Sequence, residues 1–231
     1  MPRQFAELPA KMRNESVRPY YELLSAKRKQ LFLRRMLERP AALLLLAGLS
    51  PVVLLLAGAV CLDSPGGPFY RQIRVGELGR PFSLYKLRTM QVNAAVHPPL
   101  ASREDPRITR VGRLLRRWHL DELPQLLNIV RGEMSFVGPR PELPRFVAQY
   151  DPESLATLLV PPGLTGSASL KFSDEARYLN TGERERVYKD LILPRKNACN
   201  LEYLRAFSLL RDGQILLDTA ARLLQRTGRN G

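Results

Sequence analysis

A chain of 231 residues holds one domain with a sizeable core, or one domain plus an anchor. Its 36 Lys and Arg against 22 Asp and Glu leave a net charge of +14, which points to anionic partners: nucleic acid, phospholipid headgroups or phosphorylated small molecules. The two cysteines, Cys61 and Cys199, belong to no CxxC or Cys/His cluster, which argues against a disulfide framework and against a zinc site.

Residues 16 to 38 set Leu23, Leu24, Leu31, Leu33, Met36 and Leu37 at helical spacing among Lys and Arg, predicting a helix that lies on an anionic membrane surface. From Pro40 to Leu62, "PAALLLLAGLSPVVLLLAGAVCL", no residue is charged. At about 1.5 Å per residue a straight helix of that length crosses a bilayer core of roughly 30 Å. The run does not read as a cleavable signal peptide, because some forty residues containing "SAKRKQLFLRRMLER" precede it and no small-residue cleavage site precedes a mature domain. Ser50 and Pro51 fall near the midpoint, where proline removes a backbone donor and crowds the preceding turn, so the helix is expected to kink or break there. Lys27, Arg28, Lys29, Arg34, Arg35 and Arg39 precede the run and Arg71, Arg74, Arg80, Lys86 and Arg88 follow it, which puts both ends on one, cytoplasmic, side. A re-entrant hairpin satisfies both observations, with the Ser50 hydroxyl taking up a freed backbone group; a kinked single-pass helix is the other reading.

After "SPGGP", a turn, the segments "FYRQIRV" and "PFSLYKLRTM" flank "GELGR" and read as a β-hairpin. Residues 107 to 118 and 123 to 131 read as helices, "VGPRPELP", "DPES" and "VPPGLTG" as loops, and 183 to 225 as helical again. There is no internal repeat. In "WHLDELPQLLN" two carboxylates, Asp121 and Glu122, stand inside the most basic part of the chain. On a helix these neighbours diverge by about 100°, so they serve two different jobs rather than chelating one ion as a flat pair. Capping of the helix start, with Pro124 in its first turn, is one explanation. The other lies in the surroundings: Arg113, Arg116 and Arg117 lie upstream, and "GPRP" fixes Arg140 between two prolines, a stiff way to present a guanidinium to phosphate.

Three blocks, "GGPFYRQIRVGELGRPFSLYKLRTM", "DPRITRVGRLLRRWHLDELPQLLNIVRGEMSFVGPRPE" and "PPGLTG", closely resemble the bacterial sugar transferases known as small monotopic phosphoglycosyl transferases, over about Ala41 to Thr219. The resemblance implies a mostly helical α+β fold, anchored by a re-entrant helix broken at Ser50-Pro51 and by surface-lying amphipathic helices. It further implies transfer of a sugar 1-phosphate from a UDP-sugar to polyprenyl (undecaprenyl) phosphate, on the cytoplasmic face of the bacterial inner membrane. By the same resemblance Asp121 is the nucleophile, forming a phosphoglycosyl-aspartate with release of UMP. Glu122 is its catalytic partner, Mg²⁺ binds near Asp121, Arg116 and Arg140 contact phosphate, and Lys86 and Arg88 assist. His119 stands where many relatives carry a small residue and reads as structural. The implied partners are UDP-sugar, polyprenyl phosphate and membrane phospholipids, with a homodimer admitted and no nucleic acid.

The sequence departs from the pattern at Pro161, where many relatives have arginine, and at "SASLKF", where many have an aromatic-Gln segment, so no sugar or nucleotide contact is carried over to either place. The expected organisation is a basic amphipathic segment at 1–39, the re-entrant helix at 40–62, a catalytic domain at 63–225 and a tail at 226–231. A non-enzymatic, membrane-tethered basic binding protein is the alternative from another class, and a membrane-bound metal-dependent phosphohydrolase a third. No aromatic stacking platform supports a nucleic-acid binder.

Overall fold

Period-two alternation in "FYRQIRV" and "PFSLYKL" produces β1 (Phe69–Val75) and β2 (Pro81–Leu87), an antiparallel hairpin running from Phe69 opposite Leu87 to Val75 opposite Pro81. Phe82, Leu84 and Lys86 share one face of β2, so the row that begins in the core ends by pointing an ammonium in the same direction. The computed structural model describes residues 2–92, 105–172 and 184–228; "SDEARYL" at 173–179 and the last three residues of the tail lie outside them.

Two helices precede the hairpin: α1 (Arg18–Ala26) and the 36-residue α2 (Arg28–Asp63). Helix α2 is the one described helix long and apolar enough to cross a membrane, and such a helix is suited to membrane association. Pro40 and Pro51 both lie inside it and helical structure continues through both, so the expected break at Ser50-Pro51 is not an interruption of the helix. Local chemistry explains the continuity. Proline at 51 cannot donate to the carbonyl of Ala47, four residues back, and the Ser50 hydroxyl donates to that same oxygen at 2.7 Å.

Each end of α2 is fastened to the same domain. Near its start, Arg34 pairs with Asp212 at 3.2 Å and Arg35 with Glu77 at 2.5 Å, and Glu38 accepts from Ser135 Oγ at 2.5 Å and the Phe136 amide at 3.1 Å. At its end, the Asp63 carboxylate accepts from the Val111 amide at 2.8 Å. Between them Ala42 packs with Phe82, Leu84, Leu126 and Ile129, and Ala57 and Val60 with Leu87 and Leu115. The opposite face leaves Leu44, Leu54, Leu55 and Leu62 exposed.

Helix α1 corrects the expectation of a membrane-surface helix over its length. Tyr20, Tyr21, Leu24 and, at the start of α2, Leu31 are buried in the main core with Leu159, Leu204 and Phe207, whereas Leu33, Met36 and Leu37 are exposed. Leu8, Met12 and Val17, ahead of α1, belong to the same core.

Helix α3 (Arg110–Arg117) starts at Thr109, whose hydroxyl accepts from the Gly112 amide at 3.0 Å. Glycine at 112 is dictated by close approach: a Cβ there would stand 2.2 Å from the Thr89 carbonyl oxygen. A 3-10 helix, Leu120–Gln125, then runs into α4 (Leu126–Val130). The segment "VPPGLTG", expected as a loop, contains strand β4 (Gly163–Thr165), which pairs in parallel with β3 (Ser135–Val137), a strand that reaches the expected loop "VGPRPELP" only at Val137; Ser135 stands opposite Gly163 and Val137 opposite Thr165. Short α5 (Pro144–Val147) and α6 (Ser167–Lys171) flank them. The C-terminal part is helical as expected, with α7 (Arg184–Val187), a π-type segment at Tyr188–Ile192, α8 (Leu193–Arg205) and α9 (Leu209–Gly228).

Candidate active site

The turn between α3 and the 3-10 helix fixes the carboxylate pair. His119 takes φ 54° and ψ 22°, the left-handed region in which His, Asn and Asp are over-represented among side-chain-bearing residues. The chain reverses there and delivers Asp121 and Glu122 to the first turn of a 3-10 helix, where neighbours diverge by about 120°. Both are buried. Neither side chain caps the helix, so the capping explanation does not describe this site.

Glu122 is held from two elements. Lys86 Nζ, at the end of the inward row of β2, donates to its Oε1 at 2.8 Å. Arg140 approaches from the β3 side with both terminal nitrogens, Nη1 to Oε2 at 3.3 Å and Nη2 to Oε1. The adjacent Asp121 is different: among the described residues no hydrogen bond reaches its carboxylate, while Lys86 and Arg116 supply positive potential. Arg116 is oriented by donating from Nε to Thr89 Oγ1 at 2.8 Å.

These surroundings pull the two acids apart. Burial disfavours the charged form of Glu122, but the Arg140 guanidinium and the Lys86 ammonium outweigh it and hold the carboxyl well below the usual glutamate range. Burial pushes the Asp121 carboxyl up; Lys86 and Arg116 oppose it, and the negative charge of Glu122 adds to it. A pair separated in this way provides one permanently ionised anchor for cations and one carboxylate with an open oxygen.

Arg88 is placed elsewhere. Its buried guanidinium donates to the Gly67 carbonyl at 2.7 Å, to Ser64 Oγ at 2.6 Å, and to the carbonyls of Ser64 and Gly66 at 2.9 and 3.1 Å. It closes the turn that leaves α2, and those bonds use up the donors a phosphate would need.

A cavity of about 590 Å³ opens beside the pair. Leu45 and Leu49 of α2 and Leu216 and Leu223 of α9 line it, together with the charged Glu122 and Arg140. The departing segment "SASLKF" is also part of its wall, through Ala168, Ser169, Leu170 and Phe172.

Sequence comparison bears on what such a site is for. The family model described as bacterial sugar transferase matches residues 29–226. This chain belongs to the bacterial sugar transferase family. Among similar family members, a UDP-glucose:undecaprenyl-phosphate glucose-1-phosphate transferase of Caulobacter vibrioides is 40% identical over 195 residues, 83% of this chain and 69% of that protein. The protein of the same description in Escherichia coli is 38% identical over 81% of this chain and 39% of its own length. A UDP-N-acetylgalactosamine-undecaprenyl-phosphate N-acetylgalactosaminephosphotransferase of Aeromonas hydrophila is 34% identical over 85% of this chain and 45% of its own. This sugar transferase therefore spans less than half the length of the latter two relatives.

Sequence reasoning singled out Lys86, Arg116, Asp121, Glu122 and Arg140, and this sugar transferase gathers them around the carboxylate pair. It missed Asn128, fully buried, whose side-chain amide donates to the Ser83 carbonyl at 2.7 Å and accepts from the Tyr85 amide at 3.2 Å, fastening α4 to the strand that carries Lys86. It also missed a buried ionic group around Glu142, directly after "GPRP".

Proposed function

We propose that the chain transfers a sugar 1-phosphate from a UDP-sugar to polyprenyl phosphate in two displacements through Asp121, at the cytoplasmic face of the bacterial inner membrane. The observation that carries this reading is the split within the pair: Glu122 is tied by Lys86 and Arg140, while the Asp121 carboxylate has no hydrogen bond among the described residues and lies next to Lys86 and Arg116. An Asp121 oxygen attacks the sugar-proximal phosphorus, the bond from that phosphorus to the bridging oxygen breaks, and UMP departs with the electron pair. An oxygen of the lipid phosphate then attacks the same phosphorus, and the Asp121 carboxylate leaves unchanged. A carboxylate needs no general base for the first step. The cations around the pair compensate charge on the phosphates in both steps. Family relatives whose names specify UDP-sugars and undecaprenyl phosphate support the substrate classes. The cavity suits the lipid: leucines of the anchor helix line it along with Glu122 and Arg140, so apolar groups that could take a prenyl chain and charged groups that could meet its phosphate share one cavity. The direct test is release of UMP by purified protein from a panel of UDP-sugars with undecaprenyl phosphate. Absence of UMP from every donor refutes the proposal.

A magnesium ion fits this donor set. Mg²⁺ is commonly held by one or two carboxylates with substrate phosphates and water completing its shell, and Asp121 has oxygens to offer. No cluster of three or more metal-binding side chains occurs among the described residues, so pyrophosphate oxygens would supply further ligands. When bound, the ion would neutralise charge on the leaving UMP.

The pH profile follows from the directions of the two shifts. Asp121 acts ionised, and its carboxyl is raised, so activity is expected to fall on acidification from a higher pH than an ordinary aspartate would give. Glu122→Gln removes the like charge and leaves Lys86 free to favour ionised Asp121. The residual activity of that variant is therefore expected to keep its acid limb at lower pH than wild type; a limb that stays in place or moves up refutes the coupling.

The same proposal places both ends of α2 on the cytoplasmic side, supported by the attachment of Arg34, Glu38 and Asp63 to a single domain. With Cys61 replaced by Ser, cysteines introduced at the exposed positions Glu22 and Arg80 are expected to react with an impermeant maleimide only from the cytoplasmic side. Labelling of either from outside contradicts a re-entrant anchor. Pro51→Leu, which removes the midpoint proline, is expected to shift the pattern toward a spanning helix.

A further inference from the structure

The residues on either side of Arg140 are gripped through their main chain, while its guanidinium is held by Glu122. The Gly138 amide donates to the Thr165 carbonyl at 2.9 Å, the Gly163 amide to the Pro139 carbonyl at 2.8 Å, and Arg74 Nη1 to the Pro141 carbonyl at 2.9 Å. The Val75 amide donates to the carbonyl of Glu142 at 3.0 Å. Four points therefore fix the five residues that present one guanidinium.

Beneath that loop lies an ionic group with no part in the displacement steps. Glu142 Oε1 accepts from the Tyr188 hydroxyl at 2.5 Å and from Lys196 Nζ at 3.1 Å, Lys196 also donates to the Tyr188 oxygen at 3.0 Å, and Arg74 lies 3.9 Å from Glu142 Oε2. Glu142, Tyr188 and Lys196 are all buried. Buried ion pairs of this kind give little net stability over well-packed apolar residues, because desolvation cancels most of the attraction. What the group does accomplish is geometric. Its carboxylate ties Arg74 of β1, which clasps the Pro141 carbonyl, to the π-type segment and α8, which carry Tyr188 and Lys196. Lys196 lines the cavity alongside Arg140 and Glu122.

We propose that Glu142, linked to Tyr188, Lys196 and Arg74, is a positioning residue for Arg140, holding the guanidinium on Glu122 in the wall of the cavity. The inference rests on the transferase reading above, and its readout is a coupling between residues 140 and 142. Glu142→Gln is expected to lower kcat for UMP release by about 10- to 100-fold, the range of coupling seen between residues that act through one network. In an Arg140→Ala background the same change is expected to cost less than about twofold, since there is no guanidinium left to misplace. Tyr188→Phe, which deletes one hydroxyl and leaves the charges in place, is expected to follow the same pattern with a smaller loss, and it serves if Glu142→Gln does not fold.

Effects that multiply fully in the double variant make the group merely structural and overturn the inference, with the transferase reading intact. If wild type itself releases no UMP, that reading falls, and amide exchange decides the inference instead. Faster exchange across residues 138–143 in the Glu142→Gln or Tyr188→Phe protein, with α8 unchanged, supports positioning. Unchanged exchange across 138–143 overturns it.

Discussion

Asp121→Asn is expected to abolish both halves of the reaction, lowering UMP release by at least about 10³-fold, the scale seen when a catalytic nucleophile is removed. Asparagine keeps the shape of aspartate, and the native side chain makes no cap whose loss would confuse the result. The fold should tolerate the change, because removing a buried carboxylate whose ionisation burial opposes also removes a desolvation cost. Stability is informative here. A group whose folded-state pKa is raised opposes folding as pH rises through the ordinary carboxylate range, so Asp121→Asn is expected to hold or raise Tm at neutral pH. Wild type given UDP-sugar without lipid is expected to release about one UMP per site and to retain the sugar phosphate on the protein, detectable as an increase in intact mass. A well-folded, active Asp121→Asn protein ends the covalent proposal. UMP release that strictly requires lipid points to direct transfer instead.

Chelation is expected to be as severe. Lys86, Arg116 and Arg140 bring three positive charges to the pair and Asp121 and Glu122 two negative ones, so the five groups leave a surplus of one. A UDP-sugar pyrophosphate carries about two negative charges at neutral pH, and further negative charge develops on UMP as it leaves. Glu122 already engages two of the cations and Thr89 orients the third, so none of them is an unshared counter-ion for the donor. Excess EDTA is expected to reduce UMP release to background and added Mg²⁺ to restore it, with Tm almost unmoved, since the described residues contain no multidentate cluster that would hold a structural ion. Full turnover in chelator refutes the magnesium proposal.

The parts of the site that were legible in the sequence are those whose information is local. "HLDELP" places two carboxylates in one turn after an arginine-rich helix, and "GPRP" stiffens Arg140; each motif determines its own geometry within a few residues. The Glu142 group was illegible because Arg74, Glu142, Tyr188 and Lys196 meet only after the hairpin, the "GPRP" loop and the C-terminal helices have come together. Strands β3 and β4, of three residues each, carry too little alternation to be told from loops. Helix α1 was misjudged because a core and a bilayer ask for the same amphipathic stripe, and nothing local says that Leu24 meets Phe207 and Leu204 rather than lipid. At Pro51 the backbone rule was sound in identifying the orphaned carbonyl, and the Ser50 hydroxyl satisfies it without ending the helix.

The seam along α2 also dictates an order of manufacture. The helix leaves the ribosome before the strands and helices that cover Ala42, Ala57 and Val60, so under the anchoring proposed above it would meet lipid first and the remainder would condense on a template already seated in the bilayer. A shortened gene beginning at Ser64 would present Phe82, Leu84, Leu87, Leu115 and Ile129 to water, and at roughly 1.5–3 kcal/mol for each such side chain left uncovered the product should collect as aggregate instead of as a soluble enzyme.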